Sequence, residues 1–269
     1  MAVKQASRTF ATKINVKDLE RKIRVGAVSY LNTKPLLYGI EQCPFIDTIE
    51  LVKDYPSHIA QMLLNGKIDV GLVPVAILPD LKTSFINTDF CIGCDGPVAS
   101  VCIFSEVPLQ EAEALLLDYQ STTSVQLAKI LLRDYWKSPI RYIDTSHDFS
   151  NEIKGKTAGL VIGDRALEQR NVSPFIYDLG DAWKKHTGLP FVFAAWISNK
   201  ELPVDFLKEF NAANEKGLNS IEEVIRMLPE SPYDLNRYYR ENIKYMLSDK
   251  MRNGLFEFIN LLPGLEFTG

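Results

Sequence analysis

Apolar and polar positions along the chain fall into short apolar runs separated by stretches of helical period, the alternation of an α/β protein. The first strong run, residues 23–30 (IRVGAVSY), is rich in branched and aromatic residues and predicts a strand. Leu31, Asn32, Thr33 and Lys34 then lead into Pro35 and LLYGIE. A proline just inside a helix start, after Asn or Thr, marks a helix N-terminus. A second strand is predicted over 49–53. A helix follows, with Ser57 as its cap and Gly66 as its stop. The third strand, 68–75 (IDVGLVPV), is apolar enough to be covered on both faces. Strand–helix–strand–helix–strand implies an α/β unit with a parallel sheet.

A second α/β unit follows. Strands are predicted at 98–104 (VASVCIF), 115–118, 140–144 and 160–163, with helices over 124–136 and 165–169. A late apolar strand covers 190–197 (PFVFAAWI). From Val204 onward the pattern is helical, with Phe206, Phe210, Ile221, Val224 and Ile225 at three-to-four spacing. The apolar strands at 98–104 and 190–197 are expected to carry the chain over and back between two lobes. Residues 23–98 and 195–269 would form one lobe and 99–194 the other, with a cleft between; residues 1–22 read as an N-terminal extension. Ligands of open α/β sheets bind beyond the carboxyl ends of strands, where helices begin, so those loops are the ones to search.

Composition narrows the functional classes. Of 269 residues, 46% are apolar, which excludes a chain disordered over most of its length. The formal net charge of −4, without a basic stripe, argues against a nucleic-acid partner. No apolar run approaches the roughly 20 residues that span a bilayer, so no membrane partner is expected. The first 22 residues scatter Lys and Arg without the apolar centre of a secretory signal, and the expected compartment is the cytoplasm. Cys91 and Cys94 form a C-x-x-C, but Cys43 and Cys102 make no second pair, and only His58, His147 and His186 could add nitrogen ligands. Zinc needs four ligands at characteristic spacing, so reduced, buried thiols and no metal are expected.

Four segments sit where chemistry is expected. Ser29, Tyr30, Asn32 and Thr33 end the first strand and open a helix, where free N–H groups attract an anion; capping is the alternative for Asn32 and Thr33. Tyr119 precedes Ser121, Thr122, Thr123 and Ser124, four consecutive hydroxyls at a helix start, more than one cap requires. Together the two loops suit a small dicarboxylate held largely by backbone amides, with Lys34 the only positive residue in them and no arginine. Ser100 follows the Gly96-Pro97 turn on a predicted crossing strand, facing either the cleft or packing. Asp164 ends a buried strand before a helix, as a cap or as a ligand contact.

The chain contains no G-x-S-x-G elbow, no phosphate loop, no H-E-x-x-H and no G-x-G-x-x-G after the first strand. None of the three histidines falls in a candidate loop. Chemistry in such a cleft would rest on positioning and on stabilisation of charge rather than on a protein base, and no cofactor is expected.

The segments VGAVSYLNTKPLLYGI, DGPVASVCIFS, VIGDRAL and GLPFVFAAW together resemble the chorismate dehydratase family of the futalosine route to menaquinone, from about residue 23 to the C-terminus. The resemblance implies a two-lobed α/β fold like that of type II periplasmic solute-binding proteins, with the ligand in the cleft between lobes. It implies loss of water from chorismate to an aromatic enolpyruvyl ether, with the substrate's own enolpyruvyl carboxylate taking the proton. It places the family's important asparagine on Asn32 and its important serine on Ser100. Two alternatives share the fold: a solute-binding protein without chemistry, and 1,4-dihydroxy-6-naphthoate synthase, whose opening motif Ser-Pro-Cys-Pro-Asn-Asp differs from the sequence here.

Overall fold

The computed structural model describes residues 22–262. The extension expected over 1–22 lies, Lys22 apart, outside the described residues. The chain begins with β1 (Ile23–Val28), α1 (Lys34–Glu41), β2 (Ile49–Asp54), α2 (Pro56–Leu64), β3 (Val70–Pro74) and β4 (Phe85–Cys94). It continues through β5 (Val101–Ser105), β6 (Ala114–Leu117), α3 (Thr122–Asp134), β7 (Arg141–Asp144), β8 (Thr157–Ile162), α4 (Asp164–Gln169), β9 (Phe175–Asp178) and α5 (Leu179–Thr187). It returns in β10 (Phe191–Ser198) and ends with α6 (Val204–Asn219), α7 (Ile221–Met227), α8 (Leu235–Arg237), β11 (Lys244–Met246) and α9 (Asp249–Leu261).

These strands form two sheets, in the orders β11-β4-β10-β3-β1-β2 and β7-β6-β8-β5-β9. In the first, β1 pairs in parallel with β2 and β3, as the apolar runs predict, but β10 runs antiparallel to both β3 and β4. The sheet is therefore mixed rather than parallel. In the second, β6 is parallel to β7 and β8, while β5 is antiparallel to β8 and β9. Every residue of β3 is buried, consistent with helices on both faces, whereas edge strand β2 is largely half-exposed.

The chain crosses between sheets elsewhere than expected. All of β5 lies in the second sheet and all of β10 in the first, so the chain re-enters the first sheet at Phe191. The outward crossing is the non-strand stretch 95–100 after β4, and the return runs through α5. Strand β4 escapes the hydrophobic pattern because Asn87, Thr88 and Asp89 interrupt it. Helix α5 carries two lysines and a histidine in its last turn and is started by Asp178, whose side chain accepts from Gly180 and Asp181 N–H.

Close packing holds the later helices to the first sheet's layer. Between α1 and α6, a Cβ placed on Gly39 would lie 1.9 Å from the Ala213 carbonyl, and one on Gly217 would lie 1.9 Å from that of Pro35. Glycine is required at both positions because the two backbones touch. Behind the sheet, Trp183, Phe191 and Phe258 meet edge to face with centroids 5.0–6.4 Å apart, joining α5, β10 and α9.

Candidate active site

A cavity of about 50 Å³ lies where the loops of the two sheets meet. The first sheet contributes Val28, Tyr30, Asn32 and Thr33; the second contributes Ser100, Ser121, Ser124 and Gly163. Tyr30 is the only titratable side chain lining it among the described residues. Burial and the nearby Asp118 carboxylate push the Tyr30 hydroxyl well above its ordinary pKa, so it is a neutral donor at physiological pH.

The first loop is a 3-10 turn, Leu31–Thr33, that runs into α1. Neither Asn32 nor Thr33 caps that helix. Instead Thr33 Oγ1 donates to Asn32 Oδ1 at 3.0 Å, and Asn32 Nδ2 has no protein partner among the described residues. Asn32 thus presents an amide donor to the cavity. Ser29 is exposed and does not line it.

Ser100 is fully buried and is aimed by an unusual turn. Its own N–H donates to the Val98 carbonyl at 2.8 Å, closing a three-residue turn with Ala99 at φ +65°. Such γ-turns are strained for a residue with a Cβ. Asp178 holds this one: its carboxylate accepts Val98 N–H at 3.0 Å and Ala99 N–H at 2.8 Å. On the far side, Gly163 N–H donates to the Ser100 carbonyl at 2.8 Å. Ser100 therefore stands just before β5 on a fixed corner, not within a strand that continues from Val98.

The hydroxyl run at the start of α3 divides its work. Ser121 is the N-cap, accepting Ser124 N–H at 3.2 Å, and its hydroxyl donates to that of Ser124. Thr123 Oγ1 accepts Ala76 N–H at 3.1 Å from the other sheet's side, and Thr122 is exposed. Tyr119 lies outside the cavity lining; its hydroxyl accepts from Gln120 Nε2 at 2.8 Å. Of this group, Ser121 and Ser124 face the cavity.

Several further bonds clasp the loops together. Ser57, expected as a helix cap, lies inside α2; its N–H donates to the Gln120 carbonyl and its hydroxyl to the Tyr119 carbonyl. The Tyr30 hydroxyl donates to Gln120 Oε1. Asp164 does not cap α4 and does not line the cavity; its Oδ1 accepts Leu31 N–H at 2.9 Å. Sequence reasoning passed over Arg165, although it stands next to Asp164. Its guanidinium donates to Asp118 Oδ2 at 2.7 Å and to Gln120 Oε1 at 3.2 Å, so an arginine does stand beside the second loop. It also passed over Tyr238, 138 residues from its partner Ser100, for which no local signal exists.

The remaining chemistry-bearing residues are elsewhere. His58 pairs with Asp54 at 2.5 Å and His147 with Glu152 at 2.8 Å, both on the surface. Cys91 and Cys94 lie three apart on β4, and side chains at that spacing point to opposite faces of a strand. All four cysteines are buried free thiols, and burial pushes the Cys91 thiol up to about 12. Among the described residues no group of three or more His, Cys, Asp or Glu is placed to hold a metal, and no helix is long and apolar enough to cross a membrane.

A family model described as menaquinone biosynthesis matches residues 23–263. The chain is 28% identical to a chorismate dehydratase of Thermus thermophilus, over 91% of this chain and 96% of that protein. It is 25% identical to a chorismate dehydratase of Campylobacter jejuni, over 90% and 99%. In structure it resembles a conserved Candida albicans gene product that exhibits the generic periplasmic binding protein fold, with a TM-score of 0.61, 13% identity and 92% of each chain covered.

Proposed function

The chain belongs to the menaquinone biosynthesis family, and from that premise we propose that it is a chorismate dehydratase, a hydro-lyase converting chorismate to 3-(1-carboxyvinyloxy)benzoate and water. The observation that carries this reading is the cavity itself. It offers the uncommitted donors of Asn32, Ser100 and Ser124, with the hydroxyls of Tyr30, Thr33 and Ser121 turned to protein acceptors, and among the described residues no lining side chain is a base at neutral pH. An elimination in such a site needs its base from the substrate. Chorismate has one: its enolpyruvyl carboxylate reaches the hydrogen on the ring carbon that bears the ether.

In this reading that carboxylate takes the ring proton, the C–H pair becomes ring π density, and the neighbouring hydroxyl leaves. The proton and the hydroxide together are the water lost. Asn32 Nδ2 and the Ser100 hydroxyl orient the enolpyruvyl arm and hydrogen-bond the charge that develops as the proton departs. The two carboxylates are held by donors of the loops at Ser29–Thr33 and Ser121–Ser124. The sheets with their helices act as lobes: residues 23–98 with the stretch from β10 onward, and the unit between them. A cavity of about 50 Å³ is small beside ligand clefts of roughly 300 Å³ and more, so the clasp of loop hydrogen bonds must open to admit substrate. On this proposal the partner is a small-molecule dicarboxylate, chorismate, and the role is cytoplasmic, as the first step of the futalosine route.

The test is direct. Purified full chain mixed with chorismate is expected to give the aromatic ether at the rate chorismate disappears. Chorismate that persists unchanged, in the presence of folded protein, would overturn the proposal.

A further inference from the structure

We propose that Tyr238 is a positioning residue of the active site, its hydroxyl donating to Ser100 Oγ so that the Ser100 proton is committed to the cavity. This rests on the reading that Ser100 hydrogen-bonds the reacting substrate. The two oxygens are 2.8 Å apart, and both side chains are fully buried. A serine hydroxyl has one donor and two acceptor sites. With Tyr238 donating into one acceptor site, the rotor position that turns the Ser100 proton toward Tyr238 is closed. The O–H and one acceptor site remain, and among the described residues no protein group accepts that proton, so it is free for the cavity that Ser100 lines.

Ser100 Oγ is the hydroxyl's acceptor, and the phenol, pushed far above its ordinary pKa by burial, keeps its proton at any working pH. It is a donor and not a base. The chain Tyr238 O–H to Ser100 O–H to ligand polarises along its length, which strengthens the last link.

The segment carrying Tyr238 is built as a brace. It follows α8 as a π-helical turn, Tyr238–Asn242, and such turns are frequent at functional sites. Asn242 Nδ2 donates to the Pro97 carbonyl at 2.9 Å, three residues before Ser100, and Tyr233 O–H donates to Asn242 Oδ1 at 3.1 Å. The Tyr238 ring is wedged between those of Tyr233 and Tyr239, with centroids 6.1 and 5.5 Å away. Seven residues on, Tyr245 O–H donates to the Asn32 backbone carbonyl at 2.8 Å. One C-terminal segment thus reaches both residues proposed to touch the substrate.

The experiment compares chorismate turnover by the full-length wild type, Tyr238→Phe, Ser100→Ala and the double variant, with melting curves for each. Tyr238→Phe is expected to lower kcat by roughly five- to fifteenfold with KM within about twofold. In the Ser100→Ala background it should cost less than about twofold more, because the bond it removes is already absent. 3-Fluorotyrosine at position 238 keeps the ring and donates more strongly, and is expected to hold kcat at the wild-type level or above. An unchanged kcat in Tyr238→Phe beside an impaired Ser100→Ala overturns this proposal alone, as does full additivity in the double variant or a tenfold loss with fluorotyrosine. Wild-type protein without turnover overturns the dehydratase reading and this proposal with it.

Discussion

Asp178 Oδ2 accepts the backbone N–H of Ala99 at 2.8 Å, and Ala99 is one of two non-glycine residues with positive φ among the described residues. A carboxylate that caps α5 thus also pins the strained turn on which Ser100 stands. Asp178→Ala would strip the cap and leave Val98 and Ala99 N–H without their acceptor. Loss of the cap costs about 1 kcal/mol, and each buried unsatisfied N–H about 1 kcal/mol or more. Denaturant unfolding is expected to show a loss of about 3 kcal/mol, and turnover should fall in kcat more than in KM. A variant of wild-type stability would mean that water or a neighbouring group replaces the carboxylate.

Asn32 and Ser100 should separate chemistry from folding. Both present donors to the cavity, and donors aimed at developing charge are each worth roughly 3–4 kcal/mol in the transition state. Asn32→Ala and Ser100→Ala are expected to cut kcat by about two to three orders of magnitude. Ser100→Ala leaves the Tyr238 hydroxyl without its acceptor and should cost about 1–3 kcal/mol of stability, more than Asn32→Ala. Steady-state turnover and melting measured on the same samples check both halves. Full activity in both variants would remove these residues from the mechanism.

How much of this was legible beforehand depends on the range of each interaction. Strands β1, β2, β3, β6 and β8 read directly from apolar runs, and the loop holding Asn32 from Pro35 behind it. Strand β4 did not, because Asn87 and Asp89 sit on a strand that is only partly covered. The pairing of Asp178 with Ala99 spans 79 residues, and that of Tyr238 with Ser100 spans 138. No periodicity encodes such contacts; they exist only once both sheets have formed. The hydroxyl run at 121–124 was legible as special, but its reasons were divided: Ser121 caps, Thr123 clasps Ala76, and Ser121 and Ser124 face the cavity.

The histidines are expected to be dispensable. His58 and His147 are on surface pairs with acids, and His186 rests against Tyr135 with centroids 5.7 Å apart. None lines the cavity. Replacing each with alanine should leave kcat within about tenfold, since a lost general base costs about two orders of magnitude or more. One folded but inactive histidine variant would require a protein base and end the substrate-assisted reading.

Gly163 couples the two loops through its backbone. It sits at φ +65°, ψ −145°, a region nearly closed to residues with a Cβ, and an added Cβ would lie 3.1 Å from the Tyr30 ring. Gly163→Ala is expected to destabilise the fold by about 1–3 kcal/mol. Displacing Tyr30 also disturbs a wall of the cavity, so KM should rise more than kcat falls. Wild-type KM in a folded variant would show that the Tyr30 ring gives way without touching substrate binding.

Burial of the Asp164 carboxyl makes stability depend on pH, and the bond from Leu31 N–H opposes that effect. Burial raises the folded-state pKa of Asp164 above the ordinary carboxyl value, against the opposing effects of the Leu31 N–H and of Lys34. The unfolded chain therefore loses this proton first, at a pH of about 4. The group's contribution to stability is full below that pH and is lost as pH rises through the folded pKa. Asp164→Asn keeps an oxygen for Leu31 N–H but does not titrate. The melting temperature of wild type relative to Asp164→Asn should accordingly be more favourable at pH 4 than at pH 7. The comparison cancels groups common to both proteins, so the trend belongs to this carboxyl. A difference that is flat in pH, or that grows toward pH 7, would mean that the Leu31 N–H and Lys34 outweigh burial and hold the carboxyl at or below its ordinary pKa.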